Sequence, residues 1–206
     1  EFQDILTKQF SDQEYIDLLI YSGFIPDLYD NDSSEETLFT KLVETLVAEW
    51  ARRMGFGAKL LKEKSSKEDI LIEIDNKLIV ADAKSFRLGR SQAAPNVKDF
   101  LKSADISKWM SQYKTSVGGL VTYPCKHEWQ SSSDVYLYCS DKDVPTIMLP
   151  YKYLAYLLRH KTNFETKDLS RLWTNFDKIF PQKLLKKMPG GNKQVYWDRV
   201  NTAIIS

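Results

Sequence analysis

The fold is indicated most clearly by two neighbouring runs of sequence, EDILIEI at residues 68–74 and KLIVADAK at residues 77–84. Both runs are rich in aliphatic residues, as β-strands are, and the pair Asp75-Asn76 between them is typical of a two-residue hairpin loop. The sequence therefore predicts a β-hairpin in which residue 74 faces residue 77. A three-residue loop is the alternative, and it would shift the pairing of the strands by one residue.

Three polar side chains converge on one face of the predicted hairpin. In the two-residue register Asp69 lies directly opposite Asp82, and Lys84 follows on the same face, roughly 7 Å further along the strand. Two adjacent carboxylates repel each other, and a carboxylate that continues a buried strand must be paired, protonated or metal-bound. Exposed strand ends also carry Asp and Lys, but Asp82 is flanked by alanines, not by turn residues. We interpret the three residues as the constellation of a metal-dependent nuclease.

The size and composition of the chain fit a globular domain. We predict that residues 1–206 form one domain, with a core at about residues 33–150 and a helical C-terminal part at about residues 151–206. No apolar run approaches the ~20 residues of a membrane span, so no membrane partner is expected. Cys125 and Cys139 do not make a disulfide framework, which favours a reducing cytoplasm.

Other sites with recognisable sequence motifs find little support. The chain has no P-loop and no G-x-G-x-x-G motif, so no nucleotide cofactor is expected. The G-x-S-x-G frame of a serine hydrolase is also missing. Four residues could nominally supply zinc ligands, but their spacing matches no standard zinc module; they are Cys125, His127, Cys139 and His160.

The N-terminal part of the chain is predicted to be helical. Capping boxes begin helices at Ser11 and Ser33. The second helix carries an apolar stripe with helical spacing as far as Met54, and another of its faces surrounds Glu44 with small residues, which predicts close packing. The remaining face is expected to be exposed, and it carries Lys41, Thr45, Glu49 and Arg52.

The later elements alternate between strands and helices. This order predicts an α/β fold with a central mixed β-sheet flanked by helices on both faces. The expected elements besides the hairpin are strands at residues 58–63, 118–123, 135–139 and 146–149 and helices at residues 96–113 and 153–160.

The charge distribution bears on nucleic-acid binding more than the net charge of +1 does. Basic residues outnumber acidic ones from Lys84 to Lys114, immediately after the proposed chemistry, which favours DNA as a partner over a merely solvated helix face. Within this stretch Arg87, Arg90 and Lys98 are candidate DNA-binding residues. We expect Lys98 to contact phosphate, whereas Arg87 and Arg90 can contact phosphate, read a base or pair with the acidic cluster.

These residues also carry a family resemblance over roughly residues 14–125. Asp69, Asp82 and Lys84, preceded by a helix with Glu44, resemble the PD-(D/E)xK nuclease fold. More narrowly, the string LIVADAKSFRLGR at residues 78–90 resembles the HindIII-type type II restriction endonucleases. The sequence departs from the common motif in two ways, since Glu68 replaces proline before the first acid and Asp82 replaces the commoner glutamate.

The resemblance implies a restriction-endonuclease-like fold and a role for each motif residue. Asp69 and Asp82 resemble the acids that hold Mg²⁺, and Lys84 resembles the lysine that orients or activates water. Glu44 resembles the helix-borne acid that often completes the site, and Glu63 occupies the place of a further acid.

The activity implied by the resemblance is Mg²⁺-dependent cleavage of double-stranded DNA at a short specific site by a homodimer. Two alternatives stay open. One is a repair or recombination nuclease of the same fold, and the other is a non-catalytic DNA-binding module whose acids only organise the structure.

Overall fold

A five-stranded mixed sheet forms the centre of the fold. The computed structural model describes residues 2–61, 68–87, 100–124, 138–180 and 195–205. Along the chain, the elements are helices α1 (Phe2–Gln9) and α2 (Asp12–Tyr21), strand β1 (Phe24–Ile25), helix α3 (Ser34–Arg53), strands β2 (Gly57–Leu60), β3 (Ile70–Ile74), β4 (Lys77–Ala83) and β5 (Phe86–Arg87), helix α4 (Ser103–Met110), strands β6 (Ser116–Tyr123) and β7 (Thr146–Pro150), helix α5 (Tyr151–Arg159), a 3₁₀ turn (Thr166–Ser170), and helices α6 (Arg171–Thr174), α7 (Phe176–Ile179) and α8 (Val195–Ile205).

The sheet has the order β2-β3-β4-β6-β7 and confirms the predicted mixed architecture. Strands β2, β3 and β4 pair antiparallel, whereas β4, β6 and β7 pair parallel. Helices cover both faces: a Cβ at Gly118 would meet Trp173 of α6, and one at Gly119 would meet Ile106 of α4. Because successive residues of a strand face opposite sides, α4 and α6 lie on opposite faces of the sheet.

The β3–β4 hairpin has the predicted register. Ile74 pairs with Lys77, and the pairing continues without a shift to Ile70 and Ala81. Asp75 and Asn76 have φ angles of 52° and 59°, the left-handed values that a type I′ turn requires at both central positions. The turn residues therefore select this register as far as Ile70 and Ala81. The next residue departs from it, because the Asp69 N–H donates to the Ala81 carbonyl and not to that of Asp82, so Asp69 does not face Asp82 as a regular strand pair.

Helix α3 packs closely on the sheet, as its small residues predicted. Ser33 caps the helix by accepting a hydrogen bond from the Glu36 backbone N–H, and Ala48 and Ala51 are fully buried. The expected exposure of Glu49 was wrong, because α1 and the end of α3 cover this residue. Thr7 Oγ1 donates to its Oε2 (3.1 Å) and Arg53 Nε donates to its Oε1 (3.0 Å). Thr45, on the same side, is also buried.

Two later elements differ from the sequence prediction. The helix expected at residues 96–113 is interrupted at Lys102, whose φ of 47° is left-handed, and α4 begins only after it. The strand expected at residues 135–139 is wrong where it can be compared, since Tyr138 and Cys139 are helical. Residues 96–99 and 135–137 lie outside the described part of the chain. The apolar run at residues 135–139 is short, and a short apolar run fits a strand and a helical turn equally well.

The residues after β7 pack against the N-terminal helices. Helix α5 contacts both α2 and α3, and Trp50 Nε1 of α3 donates to the Leu154 carbonyl of α5 at 2.8 Å. None of the helices in the described ranges is long and apolar enough to cross a membrane.

Candidate active site

The hairpin places Asp69 immediately before β3 and Asp82 near the end of β4. The Asp69 backbone N–H donates to the Ala81 carbonyl at 3.1 Å, and Asp69 Oδ2 accepts from the Ala83 N–H at 3.0 Å. The Asp69 carboxylate is thus tied to the backbone immediately beside Asp82. Asp82 is only 6% exposed and Asp69 is half-buried, so both carboxylates are partly shielded from water.

The pKa of the Asp69 carboxyl is shifted by its burial and by the neighbouring acids. Burial, followed by the negative charges of Asp82 and Glu44, raises the pKa of Asp69 to about 8, although the Ala83 N–H acts in the opposite direction. A carboxylate beside other acids holds its proton because a further negative charge is not compensated. A positive ion is therefore needed if all these carboxylates are to be ionised near neutral pH.

Helix α3 carries Glu44 within electrostatic reach of the same acids. Burial raises the pKa of Glu44, and the charge of Asp82 adds to that rise, whereas Lys41 lowers it. Lys41 Nζ lies 2.8 Å from both carboxylate oxygens of Glu44, one helical turn away. Sequence reasoning placed Lys41 only on an exposed face, although its spacing of three residues from Glu44 on a helix is a usable signal for such a pair.

Lys84 lies beside Asp82, as the strand period predicted. Its Nζ is 2.5 Å from Asp82 Oδ2, and its side chain is 18% exposed. Among the described residues, the buried Oδ2 atom has this ion-pair partner and accepts no hydrogen bond. A positive charge and a buried oxygen that accepts no hydrogen bond thus meet at Asp82.

The donor set fits a hard divalent cation. Mg²⁺ binds oxygen ligands and keeps several waters, so it needs only two or three carboxylates. Asp69 and Asp82 offer crowded carboxylates, and Asp82 Oδ2 is buried without a hydrogen bond. In the part of the chain that the structure describes, no three His, Cys, Asp or Glu residues are close enough together to hold an ion. Glu63, the further predicted acid, lies outside those residues.

The nominal zinc ligands are not assembled among the residues that can be compared. Cys139 is a buried free thiol, whereas the ring of His160 packs against Tyr156 with centroids 4.5 Å apart. Cys125 and His127 lie outside the described residues.

Of the three DNA-binding candidates, the structure describes Arg87. Its guanidinium forms an ion pair with Glu36 (Nη2 to Oε2, 2.8 Å) and donates to the carbonyls of Tyr29 (2.6 Å) and Asp30 (2.9 Å). Arg87 therefore pairs with an acid at the start of α3 and not with the Asp69–Asp82 cluster. Arg90 and Lys98 lie outside the described residues.

These contacts predict a structural effect for Arg87→Ala. Losing a largely buried ion pair and two hydrogen bonds costs about 1–3 kcal/mol. Thermal unfolding should show a Tm lower by several degrees, and the salt dependence of DNA binding should stay that of the wild type. An unchanged Tm with a salt slope reduced by about one would instead place Arg87 on a phosphate.

Comparison with known proteins identifies the family. The family model described as HindIII restriction endonuclease matches residues 5–206. The chain is 30% identical over 179 residues to the type II restriction enzyme HindIII of Haemophilus influenzae (strain ATCC 51907 / DSM 11121 / KW20 / Rd). This match covers 84% of the chain and 55% of the relative, so the chain spans about half the length of that protein.

Two solved structures share the fold at 13% sequence identity. Restriction endonuclease FokI has a TM-score of 0.54, and the match covers 84% of this chain and 32% of FokI. The small subunit of the heterodimeric restriction endonuclease R.BspD6I has a TM-score of 0.56, and the match covers 93% of this chain and 97% of that subunit. Since the family model matches nearly the whole sequence, the chain belongs to the HindIII restriction endonuclease family.

Proposed function

We propose that the protein is a type II restriction endonuclease that hydrolyses phosphodiester bonds of double-stranded DNA at a short specific site. The observation that carries this proposal is that the Asp69 carboxylate accepts from the Ala83 N–H, next to Asp82, while Asp82 lies 2.5 Å from the Lys84 ammonium. Family membership and the 30% identity to a type II restriction enzyme support it. A non-catalytic role for the acids would leave their crowding as an uncompensated cost to stability.

Asp69 and Asp82 would hold Mg²⁺, with Glu44 and Glu63 as further acids of the site. When bound, Mg²⁺ supplies stabilisation of negative charge on phosphoryl oxygens and lowers the pKa of water. The carboxylates bring the negative charge that attracts the ion, and the hairpin fixes them before DNA arrives. Glu44 forms an ion pair with Lys41 (Nζ to Oε1, 2.8 Å).

Lys84 has two tasks in this proposal. Its ammonium donates hydrogen bonds to the attacking water and holds that water in line with phosphorus, and it offsets the charge that develops on the phosphate. Its position beside Asp82 limits the directions in which the ammonium can point. The side chain is partly exposed, which leaves it accessible to a substrate.

The proposed partners follow from the same chemistry. Arg90 and Lys98 come after the catalytic strand in sequence, where basic residues outnumber acidic ones, and Lys98 would contact DNA phosphate. A homodimer would place two such sites on a short palindrome. A reducing cytoplasm agrees with the buried free thiol of Cys139.

A plasmid digest tests the proposal and separates it from its rivals. We expect discrete fragments with Mg²⁺ and intact plasmid with EDTA. Nicking that depends on DNA structure and not on sequence would indicate a repair or recombination nuclease. Intact DNA in both conditions, with binding retained, would indicate a DNA-binding module.

The raised pKa of Asp69 predicts how the metal-free protein responds to pH. The folded protein holds this proton to about pH 8, whereas the unfolded chain releases it near the ordinary value of 3.8. Wild-type stability therefore falls as pH rises from about 4 through about 8, and the Asp69→Asn variant lacks this loss. In EDTA, the Tm of the variant should exceed that of the wild type at about pH 8 by at least 2–4 °C, which corresponds to about 1 kcal/mol.

Thermal unfolding of both proteins at about pH 5 and about pH 8 is the required measurement. The Tm of Asp69→Asn should exceed that of the wild type by less at about pH 5 than at about pH 8. A Tm difference that does not change with pH would show that Asp69 is not crowded by the other acids.

A further inference from the structure

The backbone carbonyl of Lys84 lacks the hydrogen-bond donor that the next strand would normally supply. The parallel ladder between β4 and β6 continues past Ala83, since the Lys84 N–H donates to the Thr122 carbonyl at 2.9 Å. In a parallel ladder the Lys84 carbonyl would next accept from the N–H of residue 124. That residue is Pro124, which has no N–H to donate. A buried carbonyl without a donor is costly, so another group must supply the hydrogen bond.

Tyr151 supplies it from the first residue of α5. Its hydroxyl donates to the Lys84 carbonyl at 2.7 Å, and the side chain is 1% exposed. Burial raises the pKa of Tyr151, and the charges of Asp82, Asp69 and Glu44 contribute to that rise. The hydroxyl is therefore within electrostatic reach of all three acids of the site.

Gly23 packs closely against the ring of Tyr151. A Cβ at Gly23 would lie 2.5 Å from Tyr151 Cε2 and 2.7 Å from Pro124 Cγ, and the φ of Gly23 is +89°. The Gly23 carbonyl accepts from the Phe86 N–H at 2.7 Å, two residues after Lys84. This close packing fixes the aromatic ring and the backbone that follows β4.

We propose that Tyr151 is a positioning residue for catalysis, which fixes the main chain of Lys84 and thereby the direction of its ammonium group. The inference rests on the proposed function, because Lys84 must act on the substrate for its direction to matter. Without the hydroxyl, the peptide unit after Lys84 has no donor and rotates towards water. A displacement of about 1 Å at a reacting group can lower the rate by about 10²-fold.

Tyr151→Phe tests this role, and Tyr15→Phe is a matched control. Tyr15 is also a fully buried tyrosine whose hydroxyl donates to a backbone carbonyl, that of Leu46 on α3. Both variants keep the ring and lose one buried hydrogen bond, so both should unfold at similarly reduced temperatures. We expect the single-turnover cleavage rate to fall about 10–100-fold in Tyr151→Phe and less than about twofold in Tyr15→Phe. The dissociation constant for DNA, measured in Ca²⁺, should change less than about threefold in both.

A second measurement does not depend on cleavage. The lysine side chains are methylated with a ¹³C label, and the NMR signal of Lys84 is identified by its absence in Lys84→Arg. The chemical shift of this signal should change in Tyr151→Phe and stay the same in Tyr15→Phe. Wild-type cleavage together with an unmoved signal in Tyr151→Phe would overturn the inference. A wild-type protein that does not cleave DNA would contradict the proposed function, and the NMR result would still decide whether Tyr151 positions Lys84.

Discussion

Asp82→Asn should abolish DNA cleavage while the fold and DNA binding remain. The variant removes one of two crowded carboxylates, so the site can no longer attract and hold a divalent cation. Loss of several kcal/mol of transition-state stabilisation lowers the rate on the order of 10³-fold or more. Without metal, the variant should bind DNA at least as tightly as the wild type, because one negative charge near the phosphates is gone.

Glu73→Gln is the matched control for Asp82→Asn. Glu73 is an exposed acid of the same hairpin, on β3, and it pairs with Leu78 away from the acid cluster. Cleavage of cognate DNA should be measured for both variants at saturating Mg²⁺, and binding should be measured in EDTA. Normal cutting by Asp82→Asn would refute the argument from paired carboxylates. Equal loss in both variants would point to damage of the hairpin and not to the site.

Lys84→Ala should remove cleavage with little effect on DNA binding. The Lys84 ammonium lies beside Asp82, where it can act on water or on phosphate. Its loss should lower the single-turnover rate about 10²–10³-fold. A single lysine is a small part of the phosphate contacts, so the dissociation constant in Ca²⁺ should rise less than about tenfold.

Lys77→Ala separates this effect from a general loss of charge. Lys77 begins the same strand and pairs with Asp75 at the hairpin turn, with 2.6 Å between Nζ and Oδ2. The Lys77→Ala variant should cleave DNA at the wild-type rate. Cleavage near the wild-type rate by Lys84→Ala would show that Lys84 is only structural.

The hairpin could be predicted from sequence because its determinants are local. The turn pair Asp75-Asn76 has the left-handed conformation that its residue types favour, and the register follows from the turn. Period two then puts Asp82 and Lys84 on one face without information from the rest of the chain. The small residues of α3 likewise indicated the face that packs on the sheet.

The misjudged positions depend on contacts between distant segments. Glu49 looked like part of a solvated face, and its burial depends on Thr7, which lies 42 residues earlier in the chain. Arg87 remained open among three roles until its partners at the start of α3 were known. Tyr151 escaped notice because its role comes from what Pro124 cannot donate, and that is visible only when the strands are paired.

In the proposed site, Asp69 and Asp82 jointly hold one divalent cation. Crystals grown with Mn²⁺ and analysed by anomalous scattering test it most directly, since the scattering locates the ion without reference to any assumed mechanism. We expect an anomalous peak within coordination distance of a carboxylate oxygen from each of the two residues. A peak bound by only one of them, or side chains on opposite faces of the hairpin, would contradict it.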